Sequence, residues 1–227
     1  MYLQRLKEFI RAGRLKPGDQ IPPEQKLCAD LSVSRGTVRT AISNLVREGL
    51  LQRYQGCGTF VASPKFERSL LHYFRFVERD SSEAIIPESR IVKARVVPPP
   101  KTVADALGIS AGRRVIELTR VRLIKEVPCI YQTSFFPERL FPGLDEVDPN
   151  VPSIYDHIRD RYGVHVMQVE EYLTAGLPDP QAQQFLGLEK FFPVIIIERK
   201  TFTVREVPME FRRSVGRADR YYYRVRL

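Results

Sequence analysis

The chain has 227 residues, of which 43% are hydrophobic and 28% charged, and its formal net charge is +9. This composition is typical of a globular protein and excludes a largely disordered chain. No apolar run approaches the ~20 residues that a membrane-spanning helix needs, and the N-terminus has no signal-peptide pattern. The three widely spaced cysteines fit neither a disulfide framework nor a metal site, so we expect a cytoplasmic protein.

The positive charge is concentrated near the N-terminus. Residues 1–65 contain eleven Lys and Arg against five Asp and Glu, a net charge of +6, which leaves +3 for the remaining 162 residues. A small basic block is typical of a nucleic-acid-binding domain. A solubilising surface would explain the charge equally well, so charge alone leaves both interpretations open.

The first 48 residues predict three helices. Apolar residues from Leu3 to Ile10 recur at helical spacing, and a second helix is expected after Pro23. Ser34 is a good N-cap for a third helix. The core face of this third helix would consist of Val38, Ala41, Ile42 and Leu45.

Two short strands follow, at residues 50–54 and 59–61, around a glycine-containing turn. Three helices and a hairpin make a winged helix-turn-helix, which we assign to residues 1–63. A linker over 64–70 and a second domain over 71–227, rich in longer strands, complete the predicted organisation.

The second domain contains an internal duplication. Three elements recur 79 positions later: residues 107–109, 115–116 and Arg120 as 186–188, 194–195 and Arg199. The Glu-Val-Pro turns at 126–128 and 206–208 match at an offset of 80. Each copy predicts a short helix, a strand, a turn and a returning strand. We therefore expect an α+β domain, an antiparallel sheet with flanking helices.

Polar side chains cluster at the start of the third predicted helix. Arg35, Thr37 and Arg39 lie in its first turn and a half, away from the apolar face. A recognition helix enters the major groove by its N-terminal residues, and an arginine can donate two hydrogen bonds to a guanine edge. Ser34 and the helix N-terminus suit a phosphate. Singly these features are common, but together on a basic block they predict DNA binding.

The N-terminal block resembles the GntR family of bacterial transcription regulators in four segments: residues 15–22, 33–39, 48–51 and 56–61. The resemblance implies that this helix and the glycine wing contact operator DNA, the wing tip in the minor groove. The implicated residues are Ser34, Arg35, Gly36, Thr37, Arg39, Arg53, Gly56, Gly58 and Thr59. Gln25 stands where the family usually has Arg, which places more of the base recognition on Arg35 and Arg39.

Arg120 and Arg122 are candidates for an anion site. They are two positions apart on a predicted strand and therefore project from one face. Their guanidinium groups repel each other unless an anion or carboxylates lie between them. The alternative is an ion pair of Arg120 with Glu117 or Glu198, and the repetition of Arg120 as Arg199 indicates that the position is partly architectural.

The segment from about residue 70 to 227 also resembles the UTRA domain, the effector module of the HutC subfamily within GntR. The matching segments are residues 119–123, 141–144, 153–155, 207–210 and 217–221. Such domains share a fold with chorismate lyase, sense small anionic metabolites and form homodimers. The resemblance implies that Arg120 and Arg122 hold the phosphate or carboxylate of an effector. Its polar groups would contact Ser153, Tyr155 and Glu210, although Ser153 with Asp156 also fits a helix capping box.

Two features depart from the UTRA pattern. Gln132 stands where the family often has Glu, and the aromatic segment 72–76 replaces small polar residues near the anion. Both departures leave room for a flat carboxylate as the effector, and Gln132 is included among the expected effector contacts.

The kinship with a lyase makes an enzyme the main alternative. The sequence has no Ser/His/Asp or Cys/His pattern, and its three histidines, His72, His157 and His165, lack metal-ligand spacing. We therefore expect binding without catalysis, with no cofactor and no metal. The expected function is a homodimeric repressor that leaves a palindromic double-stranded operator when a small anionic metabolite binds.

Overall fold

The computed structural model describes residues 15, 19–48, 50–54, 58–61, 76–78, 87–110, 112–203 and 206–224. The chain divides into two compact units, Met1–Ser69 and Leu70–Leu227. The first predicted helix and the linker at 64–70 lie outside the described residues. No helix in the described part of the chain is long and apolar enough to cross a membrane.

Two helices are described in the N-terminal unit. Helix α1 (Glu24–Leu31) ends at Ser32, whose backbone is left-handed with φ of 53°. Helix α2 (Arg35–Arg47) begins after Ser34, whose Oγ accepts a hydrogen bond from the backbone N–H of Thr37 at 3.2 Å. The N-cap predicted for Ser34 is confirmed.

Helix α2 is held by its apolar side. Its buried residues are Val38, Ala41, Ile42 and Leu45, as the sequence predicts. Val38, Ile42 and Leu45 lie in one cluster with Ile21, Leu27 and the hairpin of β1 (Leu51–Tyr54) and β2 (Gly58–Val61), which pair antiparallel. These contacts fix the rotation of α2, so its polar side faces outward.

The C-terminal unit is built on an antiparallel sheet. The strands described in this unit are β3 (Phe76–Glu78), β4 (Glu88–Val97), β5 (Val115–Ile124), β6 (Val127–Pro137), β7 (Gln168–Gly176), β8 (Val194–Phe202), β9 (Pro208–Arg217) and β10 (Tyr221–Tyr223). Six of them form one sheet in the order β4-β5-β6-β9-β8-β7, and β10 pairs separately with β3. The helices are α3 (Lys101–Leu107), α4 (Ile154–Tyr162) and α5 (Pro180–Leu186), with a short 3-10 helix at Leu144–Glu146. The α+β class is confirmed.

The internal duplication is one strand longer than the sequence indicates. Each copy is a strand, a helix and two further strands, β4-α3-β5-β6 and β7-α5-β8-β9. Both helices end at a glycine with positive φ, Gly108 at 60° and Gly187 at 62°, the usual left-handed C-cap. Because β6 and β9 are adjacent and antiparallel, an approximate two-fold axis between them relates the copies.

The two faces of the sheet carry different layers. Helices α3 and α5 pack on one face, around clusters that contain Val115 and Val121. Helix α4 packs on the other, against Ile116, Leu118 and Phe136. Paired residues of an antiparallel sheet point to the same side. The surface that we call the α4 face therefore continues from this apolar cluster along alternate residues of β5, β6, β9 and β8.

Candidate functional site

The start of α2 forms an exposed polar edge. Arg35, Gly36, Thr37 and Arg39 are exposed, whereas Val38 on the same turn is fully buried. The structure thus brings these four predicted DNA-binding residues together at the end of the helix that enters a major groove in this kind of domain.

The Ser34 and Thr37 side chains contact each other. Ser34 Oγ lies 2.9 Å from Thr37 Oγ1 and also accepts the Thr37 backbone N–H. Both side chains therefore take part in hydrogen bonds at the N-terminus of α2, and their contacts with DNA stay predictions.

Glu24 links α2 to the wing hairpin. Its carboxylate accepts hydrogen bonds from Arg39 Nε at 2.8 Å and from Arg53 Nη2 at 3.3 Å. Arg53 pairs across the hairpin with Thr59. Glu24 thus holds two of the predicted DNA-contacting arginines in one place. Glu24 was not predictable from the sequence, because the three side chains meet only when α1, α2 and the hairpin have packed.

The wing glycines are only partly described. Gly56 lies outside the described residues, whereas Gly58 begins β2 with φ of 126°, a conformation that L side chains rarely adopt. A Cβ at Gly58 would also oblige the end of the Gln20 side chain to shift. The hairpin backbone therefore requires Gly58, whose approach to DNA stays a prediction.

Replacing Glu24 with glutamine should lower the ratio of specific to non-specific operator affinity severalfold. Arg39 and Arg53 lose the carboxylate that orients them, while one less negative charge near the phosphates strengthens non-specific binding. Fluorescence anisotropy on specific and scrambled duplexes measures the ratio. Asp30→Asn, an exposed site at the other end of α1, removes the same charge. Equal ratios for the two variants would contradict the orienting role.

A buried polar layer crosses the α4 face. Its members are Arg120, Gln132, Ser134, Tyr155, Arg199, Thr201, Glu210, Arg212 and Ser214, all less than one-tenth exposed. Strand register explains how they meet. Arg120, Gln132 and Ser214 form one row across β5, β6 and β9. Ser134, Arg212 and Arg199 form the next row, across β6, β9 and β8.

Glu210 and Arg212 form the centre of this layer. Arg212 donates from Nε and Nη2 to Glu210 Oε1 at 2.9 and 2.7 Å. The Tyr155 hydroxyl donates to Glu210 Oε2 at 2.5 Å and accepts from Arg212 Nη2 at 2.8 Å. Thr201 Oγ1 donates to the same Oε2 at 3.1 Å. Both Glu210 oxygens are therefore engaged by protein donors, and Glu210 neutralises Arg212 and orients Tyr155.

Arg199 and Arg120 occupy equivalent positions in the two copies, but their surroundings differ. Arg199 lies across from Glu171 of β7 and donates from Nε to its carboxylate at 2.7 Å. Arg120 lies across from Ile91 of β4. None of the three guanidinium nitrogens of Arg120 has a hydrogen-bond partner in the part of the chain that the structure describes. The duplication therefore leaves Arg120 without the carboxylate that neutralises Arg199.

The ion pair considered for Arg120 is not formed with either candidate. Glu117 lies on the opposite face of the sheet and binds Lys93 at 3.3 Å and Arg95 at 2.7 Å. Glu198 is exposed and, by strand alternation, also projects from that opposite face. The structural ion pair that the repeat suggested for this position is formed in the second copy, by Arg199 with Glu171.

Burial and like charge both act on the two candidate arginines. Burial lowers the pKa of Arg120 well below its usual value, and the guanidinium groups of Arg122 and Arg212 lower it further. Burial, together with Arg212, lowers the pKa of Arg122 to about 10. An anion between them would oppose these effects, because it favours the charged form of each guanidinium.

Burial alone would raise the pKa of Glu210, but the Arg212 guanidinium and the Tyr155 hydroxyl lower it from 4.5 to about 2. A lowered carboxylate pKa stabilises the folded state wherever the carboxylate is ionised. Its contribution is complete above about pH 4.5 and is lost as the pH falls through about 2.

Glu210→Gln should therefore lower the free energy of unfolding by roughly 3 kcal/mol at neutral pH. The difference from the unaltered protein should shrink as the pH falls from 4.5 towards 2. Chemical denaturation at a series of pH values measures it. Glu138→Gln, which removes a more exposed partner of Arg114, serves as control and should have a much smaller effect. A difference that is constant over this range would contradict the assignment.

Ser153 caps α4. Its Oγ accepts the backbone N–H of Asp156 at 3.2 Å, so the predicted N-cap is confirmed. The capping box is not completed, because the Asp156 carboxylate accepts from Arg159 instead. Helix α4 carries Tyr155 into the buried layer, and an effector contact by Ser153 stays a prediction.

Gln132 lies between the two candidate arginines. It pairs in register with Arg120, and its Oε1 accepts from Arg122 Nε at 3.1 Å. The structure thus brings Arg120, Arg122 and Gln132 together, with Tyr155 and Glu210 in the same layer. Residues 72–75, which sequence analysis places near this site, lie outside the described residues.

Four residues of this region were not predicted from the sequence: Arg212, Ser134, Thr201 and Glu171. The offset of 80 makes Arg212 the repeat equivalent of Gln132, which was an available signal. The other three each have one polar and one apolar neighbour in their strands, so the sequence pattern does not show which side of the strand is buried. No group of His, Cys, Asp and Glu in the described residues is arranged to hold a metal ion.

Family comparisons match both units. Residues 3–61 match the model described as bacterial regulatory proteins, gntR family, and residues 83–222 match the UTRA domain. The HTH-type transcriptional repressor NagR of Bacillus subtilis (strain 168) is 34% identical over 221 residues, 97% of this chain and 90% of NagR. The HTH-type transcriptional regulator GgaR of Escherichia coli (strain K12) is 30% identical over 222 residues, 98% of this chain and 88% of GgaR.

Solved structures agree with these matches. The ligand-binding domain of a GntR-family regulator from Bordetella bronchiseptica superposes with a TM-score of 0.63 at 27% identity, covering 68% of this chain and 96% of that domain. PhnF from Mycobacterium smegmatis shares the fold over the whole chain, with a TM-score of 0.58 at 24% identity and coverage of 100% and 99%. The chain therefore belongs to the GntR family of bacterial transcription regulators, with a HutC-like architecture in which a winged helix-turn-helix precedes a UTRA effector domain.

Proposed function

We propose that this DNA-binding, metabolite-responsive regulator is a repressor, released from its operator when a small anion binds at Arg120 and Arg122. The observation that carries the proposal is Arg120, which is 0% exposed and has no hydrogen-bond partner in the described residues. The similarity to NagR, named as a transcriptional repressor, supports the sign of regulation.

An uncompensated buried guanidinium destabilises a protein by several kcal/mol. A phosphate or carboxylate beside Arg120 would offset this cost and would reduce its repulsion by Arg122 and Arg212. Arg122 is only half-buried, so the anion would enter past Arg122. Tyr155 would contact the polar part of the effector, as would Ser153 from the start of α4. Glu210 would act mainly by positioning Tyr155.

The division of labour that we propose follows the two units. We assign DNA binding to residues 1–63, a linker to 64–70, and effector binding with dimerisation to 71–227. The separation into units at Ser69 and Leu70 and the two family matches support these bounds. Cys28 and Cys129 are free thiols, which suits the cytoplasm that we propose as its location.

The operator mechanism requires two copies of the chain. We propose that the C-terminal domains form a homodimer and place two α2 helices on successive turns of a palindromic operator. Effector binding would change the separation of the two DNA-binding domains and lower operator affinity. Such coupling between sites is typically worth about 1–3 kcal/mol.

The decisive experiment follows release of a fluorescent operator, selected in vitro with the full-length protein. Inorganic phosphate, sulfate, phosphate esters and small carboxylates are added in turn, and the melting temperature is recorded in parallel. A true effector both releases the operator and stabilises the protein by mass action. If no anion does either, the protein is a constitutive DNA-binding protein and the proposal is wrong.

The enzyme alternative rests on the kinship with chorismate lyase that the resemblance to the UTRA domain implies. Incubation with chorismate and measurement of pyruvate test it directly. We expect no turnover, because family and relatives are named as transcription regulators. Sustained pyruvate release that is lost in Arg120→Met would overturn the assignment.

A further inference from the structure

The α4 face contains a second buried donor beside Arg120. Gln132 is 3% exposed, and its Nε2 has no hydrogen-bond partner in the described residues. Gln132 and Arg120 are register partners on the adjacent strands β5 and β6. Two neighbouring side chains of one row are therefore buried with N–H groups that no described protein acceptor satisfies.

The orientation of the Gln132 amide is determined by its other contact. The oxygen and nitrogen of a glutamine amide are distinguished by their hydrogen-bond partners. Arg122 Nε can only donate a hydrogen bond, and it lies 3.1 Å from Gln132 Oε1. The amide oxygen is therefore used by Arg122, and the group left for a ligand is the Nε2 donor.

In the second copy of the duplication, the arginines at the two equivalent positions both donate to acceptors of the protein. Arg212, the equivalent of Gln132, donates to Glu210, Ser134 and Tyr155. Arg199, the equivalent of Arg120, donates to Glu171. Buried donors without acceptors are costly, and the contrast between copies indicates that these donors of the first copy are available to the acceptors of a ligand.

We propose that Gln132 determines effector specificity by selecting molecules with a hydrogen-bond acceptor beside the anionic group held by Arg120. A carboxylate or carbonyl oxygen in that position accepts from Nε2. An ammonium group can only donate hydrogen bonds, so it cannot bond to the Gln132 N–H group, and the Arg120 guanidinium repels its positive charge. The inference rests on the proposed function, because it specifies the ligand of the same site.

A matched pair of phosphate esters tests this selection. Phosphoglycolate carries a carboxylate where phosphoethanolamine carries an ammonium group, and both are titrated into the full-length protein by calorimetry. We expect the unaltered protein to prefer phosphoglycolate by about tenfold or more. The charge-neutral variant Gln132→Met should reduce that preference severalfold, and Gln132→Glu, which keeps an acceptor for Arg122, should reverse it.

The variants separate the donor from simple charge attraction. If net positive charge alone caused the preference, Gln132→Met would keep the ratio of the unaltered protein, and that result would overturn the inference. No preference in the unaltered protein, or no binding of either ester, would overturn it as well. Denaturation curves confirm that both variants fold. Gln132→Glu should be stabilised, because Arg120 gains a carboxylate beside it.

Inorganic phosphate distinguishes failure of the inference about Gln132 from failure of the proposed anion site. If phosphate raises the melting temperature of the unaltered protein and not of Arg120→Met, the anion site stands. If Gln132→Met then keeps the preference of the unaltered protein for phosphoglycolate, only the proposed role of Gln132 in specificity is wrong. If neither phosphate nor any other anion of the screen affects the unaltered protein, the anion site is wrong, and the inference about Gln132 fails with it.

Discussion

Replacing Arg120 with methionine should stabilise the folded protein and abolish its response to the effector. Methionine keeps the length and packing of the side chain but removes a buried charge that has no hydrogen-bond partner in the described residues. We expect the free energy of unfolding to rise by roughly 1–4 kcal/mol. Denaturation and operator release by inorganic phosphate, or by an effector from the anion screen, measure the two effects.

The duplication supplies a matched control for this prediction. Arg199 is the equivalent residue, equally buried but paired with Glu171. Arg199→Met removes the guanidinium that neutralises this buried carboxylate and should destabilise the protein by roughly 3–5 kcal/mol. Opposite signs at the two positions would separate the functional arginine from the structural one. If Arg120→Met also destabilises by several kcal/mol, Arg120 is architectural.

Replacing Arg35 with alanine should abolish specific operator binding while effector binding is retained. Arg35 is exposed at the first position of α2, where an arginine can donate two hydrogen bonds to a guanine. One such contact is worth about 1–3 kcal/mol, so a dimer with two half-sites should lose about 30-fold in affinity or more. Anisotropy titrations with the selected operator measure the loss, and the melting temperature with added effector reports retained effector binding.

Arg47→Ala is the control on the same helix. Arg47 lies at the C-terminal end of α2, and its guanidinium contacts Asn44, so the variant removes the same charge without removing a contact at the groove-entering end. It should weaken binding to all sequences equally and modestly. Equal losses for Arg35→Ala and Arg47→Ala would contradict base recognition by Arg35. If Arg35→Ala and Arg120→Met each lose both activities, the two-site mechanism fails.

Much of the DNA-binding domain was predictable because its determinants are local. The cap at Ser34, the spacing of Val38 and Leu45, and the hairpin strands depend on neighbours within a few positions. The Glu24 contact with Arg39 and Arg53 was not predictable in this way. It joins residues 15 and 29 positions apart, and they meet only when the helices and the hairpin pack.

By itself, the sequence determined the family, the α+β class, the duplication and the location of Arg120 and Arg122 on the same face of a strand. These features follow from the spacing of apolar residues, the residue types in turns and the spacing of motifs, all of which can be read from the sequence without the fold. Only the tertiary structure decided which of two equivalent arginines is neutralised. That difference depends on the residue across the neighbouring strand, Glu171 for Arg199 and Ile91 for Arg120. Strand register, which the fold sets, therefore separates a structural ion pair from a candidate anion site.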